Sequence, residues 1–409
     1  MAIGDIIVGI DIGTSKVSSV IAEINNFNQL EIIATAECKC FGMKKTKITD
    51  EDEIASAIEK TITEVEAQSN IKINSAYATI PGKYVQIVQN SIVKEAKDRF
   101  AGITSKDVSS AMLQLRDIDL PEDKVIIDII KNQFSLDNGR VVEDPVGALS
   151  STVTVSGQVI LADKNYVRQL TNIFRKANIE IDGIVPNVLA QRSLILDVNE
   201  LTDNVMIVDI GAGNTDIGIF NGNTFMYANT IPLGGDSITS DIAQVFYITE
   251  EEAERLKKQY ALALKSFIDN DTDIMLTTYK GDEKNKTIKS SELIEVIEAR
   301  IEEIFSLINK QITSLGIKTN INNVILTGQG ITCISKSDVA GKIVLNIPVK
   351  IATGRMISTV KPAYRSSFAL VKYVSNRPYA KNVASKIDIK SNENFMRTIL
   401  ERIKEFFYT

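Results

Sequence analysis

The sequence predicts an α/β fold built from two related lobes. Three observations carry that prediction. Two apolar runs, Ile7-Val-Gly-Ile-Asp-Ile-Gly13 and Met206-Ile-Val-Asp-Ile-Gly211, each end in Asp-Ile-Gly, one in each half of the chain. Each is followed by a turn of small residues, a β-branched run, a second turn and a third strand-like run. Elsewhere, helical spacing alternates with β-rich stretches, as in α/β lobes.

The first meander takes the run ending at Asp11, then Val17–Ile24, then a strand near Leu30–Ala36. Its counterparts are the run ending at Asp209, Thr215–Phe220 and Thr224–Ile231, with Asn221-Gly-Asn223 as the second turn. Helices are predicted at Asp50–Ser69 (N-cap Asp50 or Asp52), Tyr166–Asn178, Pro186–Asp197, Thr249–Lys265, Ser290–Leu315 and Pro362–Val374. Thr249 followed by Glu252 is a capping-box pattern. Pro81 to about Gly157 reads as a separate insert, with strands Gln86–Ile92, Val125–Phe134 and Ser151–Leu161 and a helix Lys106–Arg116. From Asn376 to Asn394 the chain is polar and basic with little periodicity, as in a linker.

At 409 residues, 44% apolar and 24% charged, the chain has material for two or three packed domains. Its net charge of −6 argues against non-specific nucleic-acid binding, which needs an electropositive surface. It contains no histidine, which removes Ser-His-Asp and Cys-His catalysis and every His-ligated metal. Cys38, Cys40 and Cys333 support neither a disulfide framework nor a zinc ribbon, so a reduced, intracellular protein is expected. No signal peptide and no membrane-spanning helix is expected.

The paired turns are where chemistry concentrates. Backbone amides of Gly13, Thr14 and Ser15, and of Gly211, Ala212, Gly213, Asn214 and Thr215, suit anionic phosphates. Asp11 and Asp209 would repel a phosphate unless a hydrated divalent cation lay between, and Mg²⁺ prefers such oxygen ligands. Lys16 adds a point charge for phosphate oxygens. Gly234-Gly235-Asp236 precedes a helix, whose N-terminal amides could face a phosphate or ribose. Val324-Ile-Leu-Thr-Gly328-Gln329-Gly330 is a buried strand with a glycine turn, open enough for an adenine ring. Neither GxxxxGK[ST] nor GxGxxG is present, since Asp216 stands where the latter needs glycine.

The order Asp11-Ile-Gly-Thr, Asp209-Ile-Gly-Ala-Gly, Gly234-Gly-Asp, Glu254-Arg-Leu-Lys257 and Thr327-Gly-Gln-Gly resembles the actin/sugar-kinase/heat-shock-chaperone ATPase superfamily. Within it, Pro81-Gly-Lys, Asp144-Pro-Val-Gly147 and Ser240-Asp-Ile-Ala243 are similar to the FtsA family of bacterial cell-division actin homologues. That resemblance implies an actin-like two-lobed ATPase fold: 1–80 with 162–200 as subdomain 1A, 81–161 as an FtsA-type 1C insert, 201–246 with 308–375 as 2A, and 247–307 as 2B. A linker, 376–394, and a C-terminal amphipathic helix, 395–409, complete it. It also implies ATP and Mg²⁺ as ligands, with Glu254 and Lys257 on the ribose. In one respect the chain departs. Where relatives place Glu or Gln before a Pro-x-x-Ala-type helix to orient the attacking water, this chain has Val185, so slow or negligible hydrolysis is expected.

Placed at 100° per residue, Phe395, Met396, Ile399, Leu400, Ile403, Phe406 and Phe407 fall within about 140° of the helical wheel. A helix over Phe395–Tyr408 spans about 21 Å, too short for a roughly 30 Å hydrocarbon core. It suits the interface plane, with Arg397, Arg402 and Lys404 near anionic headgroups. Seven partly immersed side chains give on the order of 7 kcal/mol gross, largely offset by ordering the tail. Weak anchors of this kind gain avidity on polymerisation.

The resemblance further implies self-assembly, recruitment of the C-terminal peptide of the tubulin homologue FtsZ, contact with later division proteins, and residence at the division site on the cytoplasmic side of the membrane. Arg300 matches a family position implicated in the FtsZ contact; an intrahelical pair with Glu303 is the plainer alternative. Two other functions stay open: a pilus-assembly actin homologue of the PilM type, and a small-molecule kinase of the same superfamily.

Overall fold

The structure, a computed structural model, describes residues 5–25, 27, 29–97, 102–195, 204–277, 286–353 and 360–377. The tail helix expected at 395–409, with all its membrane-facing residues, lies outside them. Among the described residues, no helix is long and apolar enough to cross a membrane.

β1 (Asp5–Ile12), β2 (Lys16–Ile24) and β3 (Leu30–Lys39) form an antiparallel meander. A short hairpin, β4 (Met43–Lys44) and β5 (Lys47–Ile48), leads into α1 (Glu51–Ser69). Asp50 is the cap: its carboxylate accepts from the Asp52 and Glu53 amides, and three acids in the first turn complement the helix's positive end. Ile54, Ile58, Ile62 and Val65 form the buried stripe of α1. β6 (Ser75–Ile80) then runs parallel to β1.

The insert follows as β7 (Val85–Glu95), α2 (Ser105–Gln114), β8 (Lys124–Leu136), β9 (Val141–Val142) and β10 (Thr152–Asp163). Its sheet order is β7-β10-β8-β9, with a core of its own that includes Val108, Leu115, Phe134 and Val155. α3 (Lys164–Lys176) and β11 (Glu180–Pro186) close the first lobe, whose sheet reads β11-β6-β1-β2-β3. Pro186 ends this edge strand rather than opening a helix. It pairs with Ile80 at the sheet margin, where a missing N–H is tolerated.

α4 (Asn187–Ile195) precedes the second half: β12 (Asn204–Ile210), β13 (Thr215–Asn221), β14 (Thr224–Ile231), α5 (Gly235–Phe246) and α6 (Glu250–Gln259). α6 is shorter than its spacing predicts, because Ala261 and Ala263 leave the helix to pair with Ser335. Then come β15 (Asp273–Met275), β16 (Thr287–Lys289), α7 (Ser290–Ser314), β17 (Asn323–Thr327), α8 (Ser337–Leu345), β18 (Val349–Ile351) and α9 (Arg365–Ser375). The second sheet reads β14-β13-β12-β17-β18. Both sheets thus share one plan: a meander whose first strand pairs in parallel with a fourth strand, and that with a fifth. The repeated Asp-Ile-Gly marks a repeated topology.

α4 packs on α9 and touches strands of both sheets, β11 in the first and β12 and β13 in the second. The first core continues into the second half through Phe220, Phe225 and Ala228. The insert is moored to that half as well. The fully buried Gln158 on β10 accepts the Phe225 N–H at 3.0 Å and donates its own amide to the Phe225 carbonyl.

Candidate functional site

A cavity of about 750 Å³ lies between the two sheets. Asp11 and Asp209, at the equivalent ends of β1 and β12, both line it. So do Gly13, Thr14, Ser15 and Lys16 from one turn, and Gly211, Ala212 and Asn214 from the other. Gly235, Asp236, Glu254, Lys257, Gly328, Gln329 and Gly330 complete the sequence-predicted lining.

Three predicted residues do not line the cavity. The Gly213 N–H donates to Thr14 Oγ1 at 2.8 Å and so joins the two turns. The Thr215 hydroxyl is buried and donates to the Leu233 carbonyl. Gly234 lies against the carbonyls of Gly211 and Ala212. The amides at the start of α5 are also committed within the protein: Gly235 N–H donates to Gly211 O at 2.9 Å and Asp236 N–H to Ala212 O at 2.7 Å. They brace the second turn rather than face the cavity as unpaired donors. Gly328 has φ of +93°, and a Cβ there would strike Ile210 O and Asp209 Oδ1, so only glycine fits.

The floor is acidic and buried. Burial raises the Asp11 carboxyl above its ordinary range, although the Thr79 hydroxyl donates to its Oδ1 at 2.6 Å. Burial, reinforced by the charge of Asp216, pushes Asp209 up to about 7. Asp216 is itself raised by burial, and its carboxylate accepts from Thr230, Asn187 and the Gly82 N–H. At the rim, Lys16 pairs with Glu37 at 2.8 Å. Lys257 is almost fully buried and donates to Glu254 at 2.5 Å, to Thr239 Oγ1 at 2.7 Å and to Gly235 O at 3.1 Å. Val185 packs into the first-lobe core and is not among the lining residues.

Arg300 lies on α7, away from the cavity. Its Nε and Nη2 donate to the two oxygens of Asp241 on α5 at 2.5 and 2.8 Å, and its Nη1 bonds Glu303.

A family model described as cell division protein FtsA matches residues 206–369, and one for the SHS2 domain inserted in FtsA matches residues 82–161. Cell division protein FtsA of Bacillus subtilis is 29% identical over 395 residues, covering 97% of this chain and 89% of the relative. That of Pseudomonas aeruginosa is 24% identical over 410 residues, covering 98% and 97%. The chain belongs to the FtsA family. The SHS2 match runs across the β7–β10 sheet of this FtsA-family chain. Solved structures share its actin-like fold at low identity. The PilM–PilN type IV pilus biogenesis complex has a TM-score of 0.58 at 14% identity, covering 90% of this chain and 98% of that one. MreB5 of Spiroplasma citri bound to ADP has 0.54 at 14%, covering 93% and 99%.

Four residues of this FtsA-family site escape the sequence reading: Thr79, Asn187, Gln191 and Asp216. Each lines the cavity. Asp216 carried a legible signal, a carboxylate inside the apolar run Thr215-Asp-Ile-Gly-Ile-Phe220. Asn187 and Gln191 are spaced one helical turn apart after Pro186, which places both on the same face of α4.

Proposed function

We propose that this FtsA-family protein binds ATP with Mg²⁺ between its lobes, assembles with copies of itself, and tethers FtsZ filaments to the inner face of the cytoplasmic membrane. One observation carries the nucleotide reading: Asp11 and Asp209, topological equivalents, face one cavity between glycine-rich turns. The donor set supports a hydrated cation. Asp11 and Asp209 are acceptors, and the amide oxygens Asn187 Oδ1 and Gln191 Oε1 are buried acceptors with no partner among the described residues. When bound, Mg²⁺ would offset phosphate charge beside these carboxylates. Relatives named for cell division support the division role, and actin-like neighbours solved with ADP or AMPPNP, or as the MamK double helical filament, support nucleotide binding and assembly.

In this reading residues 247–307 form the 2B region that takes the FtsZ peptide beside Arg300, and residues 395–409 form the lipid anchor. Calorimetric titration with ATP, with and without Mg²⁺, tests the first half. Vesicle flotation of the intact protein and of a chain lacking 395–409, with FtsZ and ATP, tests the second. Absence of nucleotide affinity, or lipid binding that survives removal of the tail, rejects the corresponding half.

A further inference from the structure

Among the described residues, four positively charged side chains line the cavity: Lys16, Lys257, Lys258 and Arg365. Three of them are already matched. Lys16 pairs with Glu37 at 2.8 Å, and Glu254 takes Lys257 on one oxygen at 2.5 Å and Lys258 on the other at 3.1 Å. Arg365 is different. Its guanidinium has no ion pair and no hydrogen bond among the described residues, and its Nε is shielded from solvent without a partner. Burial loosens its hold on its proton, and no carboxylate charge counters that.

The fold fixes where this charge enters. Arg365 is the first residue of α9, directly after the turn Pro362–Tyr364. That turn packs against β2 and β3, the strands that follow the first glycine turn. The next two residues tether the start of α9 on both sides. Ser366 Oγ accepts from Gln191 Nε2 at 3.1 Å, and the same nitrogen lies 3.5 Å from Asp209 Oδ2. Ser367 Oγ lies 3.1 Å from Ser18 Oγ on β2. Arg365 therefore joins the cavity wall between the Asp209 floor and the strand that leaves Gly13–Ser15. A partly buried guanidinium loses solvation with nothing to offset it until an anion arrives, and its planar fork matches two oxygens of a phosphate.

We propose that Arg365 binds the terminal phosphate of the nucleotide and makes the site prefer the triphosphate to the diphosphate. This rests on the ATP-binding reading. In that reading the base and ribose lie at Gly328–Gly330 and Glu254–Lys257, so the end of the phosphate chain is the part that approaches the floor. The glycine turns offer amides to the inner phosphates, which ADP shares. Arg365 supplies a charge that only the third phosphate meets. It bonds neither Asp11 nor Asp209, and so leaves their oxygens to a cation.

The test is calorimetric titration of the full chain and its Arg365→Gln and Arg365→Lys variants with ATP and with ADP, both in the presence of Mg²⁺. Expected for Arg365→Gln is ATP affinity about tenfold weaker, with ADP affinity within about twofold of wild type. Arg365→Lys keeps the charge and loses the fork, so its ATP affinity falls about threefold and its ADP affinity again holds. If Arg365→Gln does not fold, Arg365→Lys carries the comparison. An equal loss for ATP and ADP, or no loss for either, overturns the proposal and leaves ATP binding standing. A wild-type chain that binds neither nucleotide overturns the ATP-binding reading, and the proposal with it.

Discussion

Thr14 and Gly213 join the two lobes across the mouth of the cavity. They belong to the equivalent turns after β1 and β12, and the Gly213 N–H donates to Thr14 Oγ1 at 2.8 Å. A Cβ on Gly213 would lie 2.8–2.9 Å from the Thr14 side chain. The turns therefore approach as closely as backbone and hydroxyl permit, and this contact sets their separation at that point.

Gly213→Ala forces the turns apart and breaks one hydrogen bond, a loss near 1 kcal/mol before any displacement is counted. ATP affinity is expected to fall about tenfold, read by calorimetry. Thr14→Ser keeps the acceptor and is expected to bind as wild type does. Equal affinity in Gly213→Ala would show that the spacing of the turns does not matter to the ligand.

The insert's mooring makes a separate prediction. Gln158→Leu removes both bonds to Phe225 and leaves a buried N–H and C=O unpaired, at about 1–3 kcal/mol for each group. Stability to denaturant is expected to drop by that order. Hydrogen exchange is expected to quicken along β10 and β14, with the remote α8 unchanged.

Glu252 gives a pH dependence of defined sign. Arg255 grips its carboxylate with two bonds of 2.8 Å, and the Thr277 N–H adds a third at 3.1 Å. Held chiefly by the Arg255 bonds, its carboxyl falls from 4.5 to about 2. The unfolded chain takes up this proton first as acid is added. The stabilisation is therefore full above pH 4.5 and fades as pH falls towards 2. Because Arg255 is half exposed, solvent screening limits the effect to about 1–2 kcal/mol. Glu252→Gln is expected to be less stable at pH 7 by that amount, with the gap closing in acid; a constant gap across thermal melts at several pH values would exclude the ion pair as its cause.

What the sequence made legible follows from how local each signal is. The Asp-Ile-Gly repeat, the Asp50 cap and the Thr224–Ile231 strand depend on neighbours in the chain, and they stand where their patterns put them. Glu252 carries a local and a tertiary role at once. Thr249 accepts the Glu252 N–H as the local pattern expects, while the carboxylate binds Arg255 and the Thr277 N–H, partners that the local pattern does not announce. Asn187 and Gln191 were illegible for the same reason: their contacts exist only once α4 is brought to the floor beside Asp209. The α5 amides reverse the pattern. They look free in the sequence, and the fold occupies them with the carbonyls of Gly211 and Ala212.

Arg300 is where a structural and a partner role can be separated. Both oxygens of Asp241 meet the Nε–Nη2 edge of its guanidinium, strapping α7 to α5, and the Asp241 bonds make Arg300 hold its proton more firmly than usual. A peptide carboxylate would have to share or displace that grip. If Arg300 binds the FtsZ C-terminal peptide, Arg300→Ala weakens binding by about tenfold in fluorescence anisotropy, and Asp241→Ala, by releasing the guanidinium, strengthens it. A strap alone behaves otherwise. Both variants would then lower the melting temperature alike and leave peptide affinity untouched, because neither side chain would meet the peptide.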